Sequence, residues 1–188
     1  MNRFIIEATP KECAMAHCDK HVPKMVVEEA QMLSTVHRML DGTIEMRPSK
    51  SGKRMVKYWK LDDQREDILY KAVHMNHPCT VWARQTTGNY NWAYQMFVAL
   101  CDEFSYRYGK THKSDELLTH HLMMPPKNID PSLEVTPFPL AMGSNPECMF
   151  HDDPVKSYRL FYQTKQERFK MVWSKREVPS WFSYSGTL

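Results

Sequence analysis

Between Asp19 and Gln31 the chain sets an imidazole, an ammonium, a carboxylate and an amide at helical spacing. At 100° per residue, His21, Lys24, Glu28, Gln31 and Thr35 fall within an arc of about 80°. Val22, Met25, Val26, Met32, Leu33, Val36 and Leu40 take the neighbouring arc, as a core-facing stripe should. A carboxylate between a histidine and a lysine can move protons or stabilise a developing positive charge. The polar edge therefore has two readings, a solvated face or the wall of a substrate site. Glu29 winds into the apolar stripe, where burial raises a carboxyl pKa; a salt bridge to Arg3 or another basic group is the alternative. His37 lies opposite Glu28 and reads as structural.

The elements that must position these groups are mostly helical. Thr9-Pro10-Lys11-Glu12 fits a capping box with proline at the first helical position, so a short helix runs to His17 or Cys18. Asp19 then reads as the N-cap of the helix that carries the polar edge, and Asp41-Gly42 as its stop. Residues 43–60 form a polar, basic loop with a weak hairpin, most strand-like from Met55 to Leu61. Asp62 and Asp63 cap a short helix to Lys71. His74–Arg84 is a dense connector, with Pro78 and Gly88 as turn residues. A long helix runs from Asn89 to Tyr108-Gly109, and another begins at Ser114 and must end before Pro125-Pro126. Residues 125–153 hold six of the twelve prolines and read as a long ordered loop, anchored by Phe138, Leu140, Met142 and Phe150, with disorder as the alternative. Asp152-Asp153-Pro154 starts a helix to about Trp173, and an irregular aromatic tail follows.

The chain has 188 residues, 42% hydrophobic and 25% charged, which suits one globular domain over residues 1–188. The expected class is mostly α: a single compact helical domain with long ordered loops. No apolar run approaches the ~20 residues of a membrane span. The opening Met1–Glu7 is too short and too soon charged for a signal peptide, so the expected location is the cytoplasm. Five cysteines without a Cys-x-x-Cys pair argue against a disulfide framework and the common zinc patterns. Cys13, His17 and His21 recur every four residues, but a cap at Asp19 breaks the helix between them, so no metal is expected. The absence of a phosphate-binding glycine loop leaves no cofactor to expect either.

Net charge is only +3, yet the cations are grouped. Arg47, Lys50, Lys53, Arg54, Lys57 and Lys60 come without an intervening acid, beside Tyr58 and Trp59. Seven more basic residues lie between Lys156 and Arg176 against Glu167 alone, among Tyr158, Phe161, Tyr162, Phe169 and Trp173. Cations neutralise phosphates and aromatics stack on unpaired bases. A basic loop and an amphipathic helix with core aromatics would give the same pattern.

Three stretches resemble the phage pyrimidine-dimer DNA glycosylase family, called endonuclease V-like. Met1-Asn2-Arg3 is like its Met-Thr-Arg opening. Asp19-x-His21 followed by Glu28 is similar to its Asp-x-His…Glu helix. The tail Pro179-Ser180-Trp181-Phe182-Ser183-Tyr184-Ser185-Gly186 is like its Pro-Thr-Trp-Tyr-Lys-Tyr-Tyr-Gly end. The likeness covers both ends and little of the middle, where the helix from Asn89 matches by position only, and this chain is longer. It implies a compact helical fold with the N-terminus inserted against the first long helix, DNA across a basic face, and a nucleotide extruded for chemistry. Glu28 matches the catalytic glutamate. One departure matters: the family's nucleophile is the amine of a threonine exposed by removal of Met1, and Asn2 stands there instead.

The function implied is a DNA-binding enzyme acting on an extruded pyrimidine base. The alternatives are a phage DNA base-modifying transferase, joining an amine or amino acid to an activated pyrimidine, and a DNA-binding protein without chemistry. Glu28 and His21 are the catalytic candidates; His21 contacts a phosphate, orients Glu28 or is a plain helix-terminal residue. Arg3, Lys24, Lys53, Arg54, Lys57 and Arg84 are candidates for DNA contacts. Asn89, Tyr90 and Trp92 could line a base pocket, although Trp92 also suits a core, and Trp181 and Tyr184 could stack on bases. The partners expected are DNA and, for the transferase, a small amine or amino-acid co-substrate, with no membrane, for a monomer in the cytoplasm of the host cell if phage-encoded.

Overall fold

Thr9 caps the first helix, α1 (Pro10–Ala16), accepting a hydrogen bond from the Glu12 backbone while Glu12 accepts one from the Thr9 backbone. This capping box is the local reason for a helix start in the computed structural model, which describes residues 2–185. α2 (His21–Asp41) follows after a break at 17–20. Asp19 does not cap it. The N-cap position is Lys20, without a side-chain bond. The Asp19 carboxylate instead accepts from the Ser174 backbone (2.9 and 3.0 Å), the Ser174 hydroxyl (2.6 Å) and Arg107 (2.9 Å), fastening the C-terminal segment to the start of α2. Pro23 sits in the first turn of α2, where its missing N–H has no intrahelical partner to lose.

The expected apolar stripe of α2 is buried from Val22 to Val36, with Leu40 partly covered. It packs along α5 (Thr87–Tyr108). The short α4 (Pro78–Ala83) and α6 (Lys113–Leu122) lean on α2, and α1 leans on α5. Phe4, Ile5 and Ile6, outside any helix or strand, are buried in the same continuous core. Among the described residues the architecture is mostly helical, with a single two-stranded sheet, and no helix is long and apolar enough to cross a membrane.

That sheet is a hairpin of β1 (Thr43–Pro48) and β2 (Met55–Lys60), antiparallel from Thr43 opposite Lys60 to Pro48 opposite Met55. Arg38 fixes it to α2. Its guanidinium is 1% exposed and donates to the carbonyls of Trp59, Glu66, Leu69 and Tyr70 and to the Glu66 carboxylate, all within 2.6–3.0 Å. A short α3 (Arg65–Ile68) supplies Glu66. Residues 78–83, expected as a connector, form α4 because Pro78 opens the helix and the His77 imidazole accepts from the Cys79 backbone. Six residues are too few to show a period in sequence.

α5 begins two residues before Asn89, at the Thr86 cap, and ends at Gly109 in the left-handed conformation (φ 66°), as expected of a glycine stop. Gly88 is more than turn chemistry. A side chain there would place its Cβ 2.4 Å from the carbonyl oxygens of Leu133 and Glu134. This close approach lets the long loop lie on the helix start, where Thr87 and Gly88 donate to the carbonyls of Asp130 and Ser132. Asn89, fully buried, donates to Trp82 O and the Thr136 hydroxyl and accepts from Thr136 N, each at 2.8 Å. The loop is thus ordered. Met142 is buried and Phe138 and Leu140 pack on the core, whereas Phe150 is exposed.

α7 (Pro154–Gln163), capped by Asp153, is shorter than expected. It passes into a 3₁₀ turn at Thr164–Glu167 and then an irregular return. The apolar spacing of Tyr158, Phe161 and Tyr162 next asks for an apolar residue at 165, where a lysine stands. The return is held by Trp173, which donates to Ala16 O, and by Val172 O, which accepts from Asp19 N.

Candidate functional site

Glu28 and Glu29, neighbours in sequence, have opposite surroundings. Glu29 turns inward and is fully buried against Arg3, whose Nε and Nη2 donate to its two oxygens at 2.6–3.1 Å. Burial opposes the Arg3 charge, but the field and hydrogen bonds of Glu29 hold its pKa above the ordinary value. Arg3 also donates to Cys79 O and lies over the Trp82 ring. Its guanidinium is therefore 2% exposed and engaged inside the protein, not on an outer DNA face. Its effect is to lock the N-terminal segment between α2 and α4.

That lock delivers Asn2 to Glu28. The Asn2 backbone N–H donates to Glu28 Oε2 (3.4 Å), and Lys24 lies 3.1 Å from Oε1. Glu28 keeps a side chain 13% exposed, so it stands at the rim between interior and solvent. His21 is deeper, at 4% exposure. Its ring stacks on Phe4 (centroids 5.3 Å, 13° between planes) and meets the edge of Phe169. The Tyr162 hydroxyl accepts from Cys18 N (2.9 Å) and so has its own proton for His21 Nδ1 (2.8 Å), which places the imidazole proton on Nε2. Burial, with His17, Lys24, Lys165 and Lys20 adding repulsion, pushes the His21 pKa down to about 3. A ring that stays neutral at pH 7 is a hydrogen-bonding group and not a counter-ion for phosphate. Its hydrogen-bond partner is Tyr162, not Glu28.

Beside these residues opens a cavity of about 390 Å³, within the ~300–1,000 Å³ of small-ligand sites. Asn2 and Phe4 form one wall and Lys20, His21 and Lys24 another. Phe161 closes it from α7, Lys165, Arg168 and Phe169 from the turn and return that follow, and Ser144 and Asn145 reach it from the long loop. Among the described residues four cations line this space and no carboxylate does. Lys20 lies 4.6 Å from the centre of the Phe169 ring and Lys165 3.4 Å from that of Phe161. Such a site suits a ligand with a planar ring and negative charge.

The remaining candidates are dispersed. Lys53, Arg54 and Lys57 are exposed on the hairpin, where Arg47, Lys50, Lys57 and Lys71 also border a separate hollow of about 520 Å³ beside Tyr58 and Trp59. Arg84 is partly buried, donating to Met75 O. Asn89 and Tyr90 are buried, Tyr90 joining His37 to Leu122 O, and Trp92 packs on Trp82 and Phe138. None of these residues lines the cavity at His21. Trp181 donates to Glu7 (2.6 Å) and Tyr184 is exposed, while Met1 and Gly186 lie outside the described residues.

His37 is structural, held by Tyr90 and Arg65. Cys13 bonds to the Glu7 backbone and His17 to Cys13 O, and among the described residues no three His, Cys, Asp or Glu side chains form a metal-binding group. Lys165, Arg168 and Phe169 escape a sequence reading that carries the helix on to Trp173; the lysine at the next apolar position is the signal that could reveal them. No protein-family model, curated protein or solved structure matches this chain.

Proposed function

We propose that the protein is a DNA-binding enzyme that acts on a pyrimidine nucleotide drawn out of the duplex into the cavity at His21. The observation that carries this is the meeting of Glu28 with the N-terminal backbone beside a cationic, aromatic-lined cavity. Reactive atoms of a base are shielded in the stack, so chemistry on them needs extrusion and a pocket that receives both ring and phosphate. Phe4, Phe161 and Phe169 give the cavity an apolar lining, His21 Nε2–H is a donor on its wall, and Lys20, Lys24, Lys165 and Arg168 offer charge to flanking phosphates. Glu28, which does not line the cavity but bonds to Asn2 and Lys24 on its wall, is the proposed acid–base or charge-stabilising group. This arrangement is in keeping with the resemblance of the chain ends to the endonuclease V-like glycosylases, and the proposed fold relationship rests on those same residues. Arg3 enters the proposal as the residue that positions the N-terminal segment.

A second reading, transfer of an amine or amino acid to an activated pyrimidine, is favoured by one further observation. The loop at 125–153 contributes Ser144 and Asn145 to the cavity and so has the position to select a co-substrate.

The test is to incubate the protein with ultraviolet-irradiated and undamaged phage DNA and to analyse nucleosides and free bases by mass spectrometry. Loss of a pyrimidine supports excision, and a pyrimidine of increased mass supports transfer. Salt-dependent binding with neither product would establish DNA binding without chemistry and overturn the enzymatic proposal.

A further inference from the structure

Lys165 interrupts the apolar spacing of α7, and its side chain lies against the cavity with Nζ 3.4 Å from the centre of the Phe161 ring. Among the described residues no carboxylate forms an ion pair with it, whereas Lys24 on the opposite wall is paired with Glu28. Two cations, Arg168 and Lys24, share its surroundings, and Glu167 and Cys148 are the groups whose charge favours its protonation. A lysine partly desolvated by burial and crowded by other cations is the setting that turns an ammonium into a nucleophile. We propose that Lys165 is the reactive amine of this cavity, forming a Schiff base with the carbonyl carbon of a phosphate-flanked substrate. On the reading given above, on which this rests, that carbon is C1′ of a deoxyribose that has lost its base.

The step balances without an oxidant or reductant. Neutral Nζ adds to the C1′ aldehyde carbon, the carbonyl electron pair moves to oxygen, and that oxygen takes a proton. A second proton lets this oxygen leave as water while nitrogen gives up both of its protons, so that amine and aldehyde become the C=N bond and one water. Burial, with Arg168 and Lys24, pushes the Lys165 pKa down to about 8. About a tenth of it is then neutral at pH 7, against about a few parts in ten thousand for an ordinary lysine. The N-terminal amine, which the family resembled by the chain ends uses as its nucleophile, is the competing candidate within the chain.

The experiment treats the full-length protein with a duplex carrying one abasic site in the presence of borohydride, which reduces the imine to a stable secondary amine. The adduct is mapped by peptide mass spectrometry, and binding of the same duplex is measured by fluorescence anisotropy. The expected result is an adduct on Lys165, with a yield that rises through a midpoint near pH 8. Lys165→Arg, which keeps the charge, is expected to retain binding and lose at least ten-fold in trapping. An adduct on the N-terminal amine or another lysine, or bound DNA without any adduct, overturns this inference and leaves the DNA-binding reading standing. Failure to bind the duplex overturns both.

Discussion

Replacing Glu29 by glutamine keeps the shape of the side chain and removes its charge from beside Arg3. The guanidinium is 2% exposed and the carboxylate 0%, and the two are joined by hydrogen bonds of 2.6, 3.0 and 3.1 Å. An amide supplies one acceptor where two stood and turns a donor toward the guanidinium. Breaking a buried pair by removing one partner costs about 3–5 kcal/mol, because the remaining charge is left uncompensated. For a chain of this size each kcal/mol lowers the melting temperature by about 2–4 °C, so Glu29→Gln is expected to melt roughly 6–20 °C lower. Thermal and urea unfolding followed by circular dichroism measure this. The double variant Arg3→Met with Glu29→Leu, which removes both charges, is expected to recover most of the loss. A Glu29→Gln protein within about 0.5 kcal/mol of the parent would refute the reasoning, since Arg3 would then hold its charge without its partner.

Three further perturbations follow from named interactions. His17, His21 and His37 are buried, and burial lowers their pKa values to about 4, 3 and 4. The unfolded chain, with ordinary histidines near 6.5, therefore binds up to three more protons as pH falls from about 6.5 to 4; stability is retained above this window and lost through it. Urea midpoints measured from pH 8 to 4 should show the decline, and a flat profile between pH 7 and 5 would contradict it. Gly88→Ala drives a Cβ into two loop carbonyls and is expected to destabilise by about 1–3 kcal/mol and expose residues 130–136 to proteolysis; an unchanged digestion pattern and melting temperature would contradict the packing. Alanine at Lys53, Arg54 and Lys57 together is expected to leave the fold intact. It should reduce the slope of log K for DNA against log salt by roughly 0.9 for each phosphate no longer neutralised, and an unchanged slope would place the DNA elsewhere.

What can be read in the sequence is whatever repeats locally. The apolar stripe of α2, the box at Thr9 and Glu12 and the glycine stop at 109 each depend on residues a few positions apart. Asp19 has the sequence context of a cap but does not act as one, because its partners, Ser174 and Arg107, are distant in the chain and compete for the same oxygens. Arg38 has the look of an ordinary helical arginine; its role as the hub of the hairpin depends on carbonyls from four residues between 59 and 70. At the site, the edge of His21, Lys24 and Glu28 follows from helical winding. The opposite wall does not, since Lys165, Arg168 and Phe169 reach the cavity only because α7 stops at Gln163. The burial of Arg3 and Asn89 likewise depends on distant partners, Glu29 for one and Thr136 for the other.

The proposed function puts the chemistry on DNA at the cavity beside Glu28. The measurement that bears on it most directly compares wild-type protein and Glu28→Gln on the same pyrimidine-damaged or unmodified phage duplex, with product mass and binding followed together. The expected outcome is a product from the wild type, near-equal DNA affinity for the two proteins, and product formation slower by about 10²–10⁴-fold in the variant. Product appearing at the same rate in Glu28→Gln, or DNA bound and left unaltered by the wild type, would contradict it.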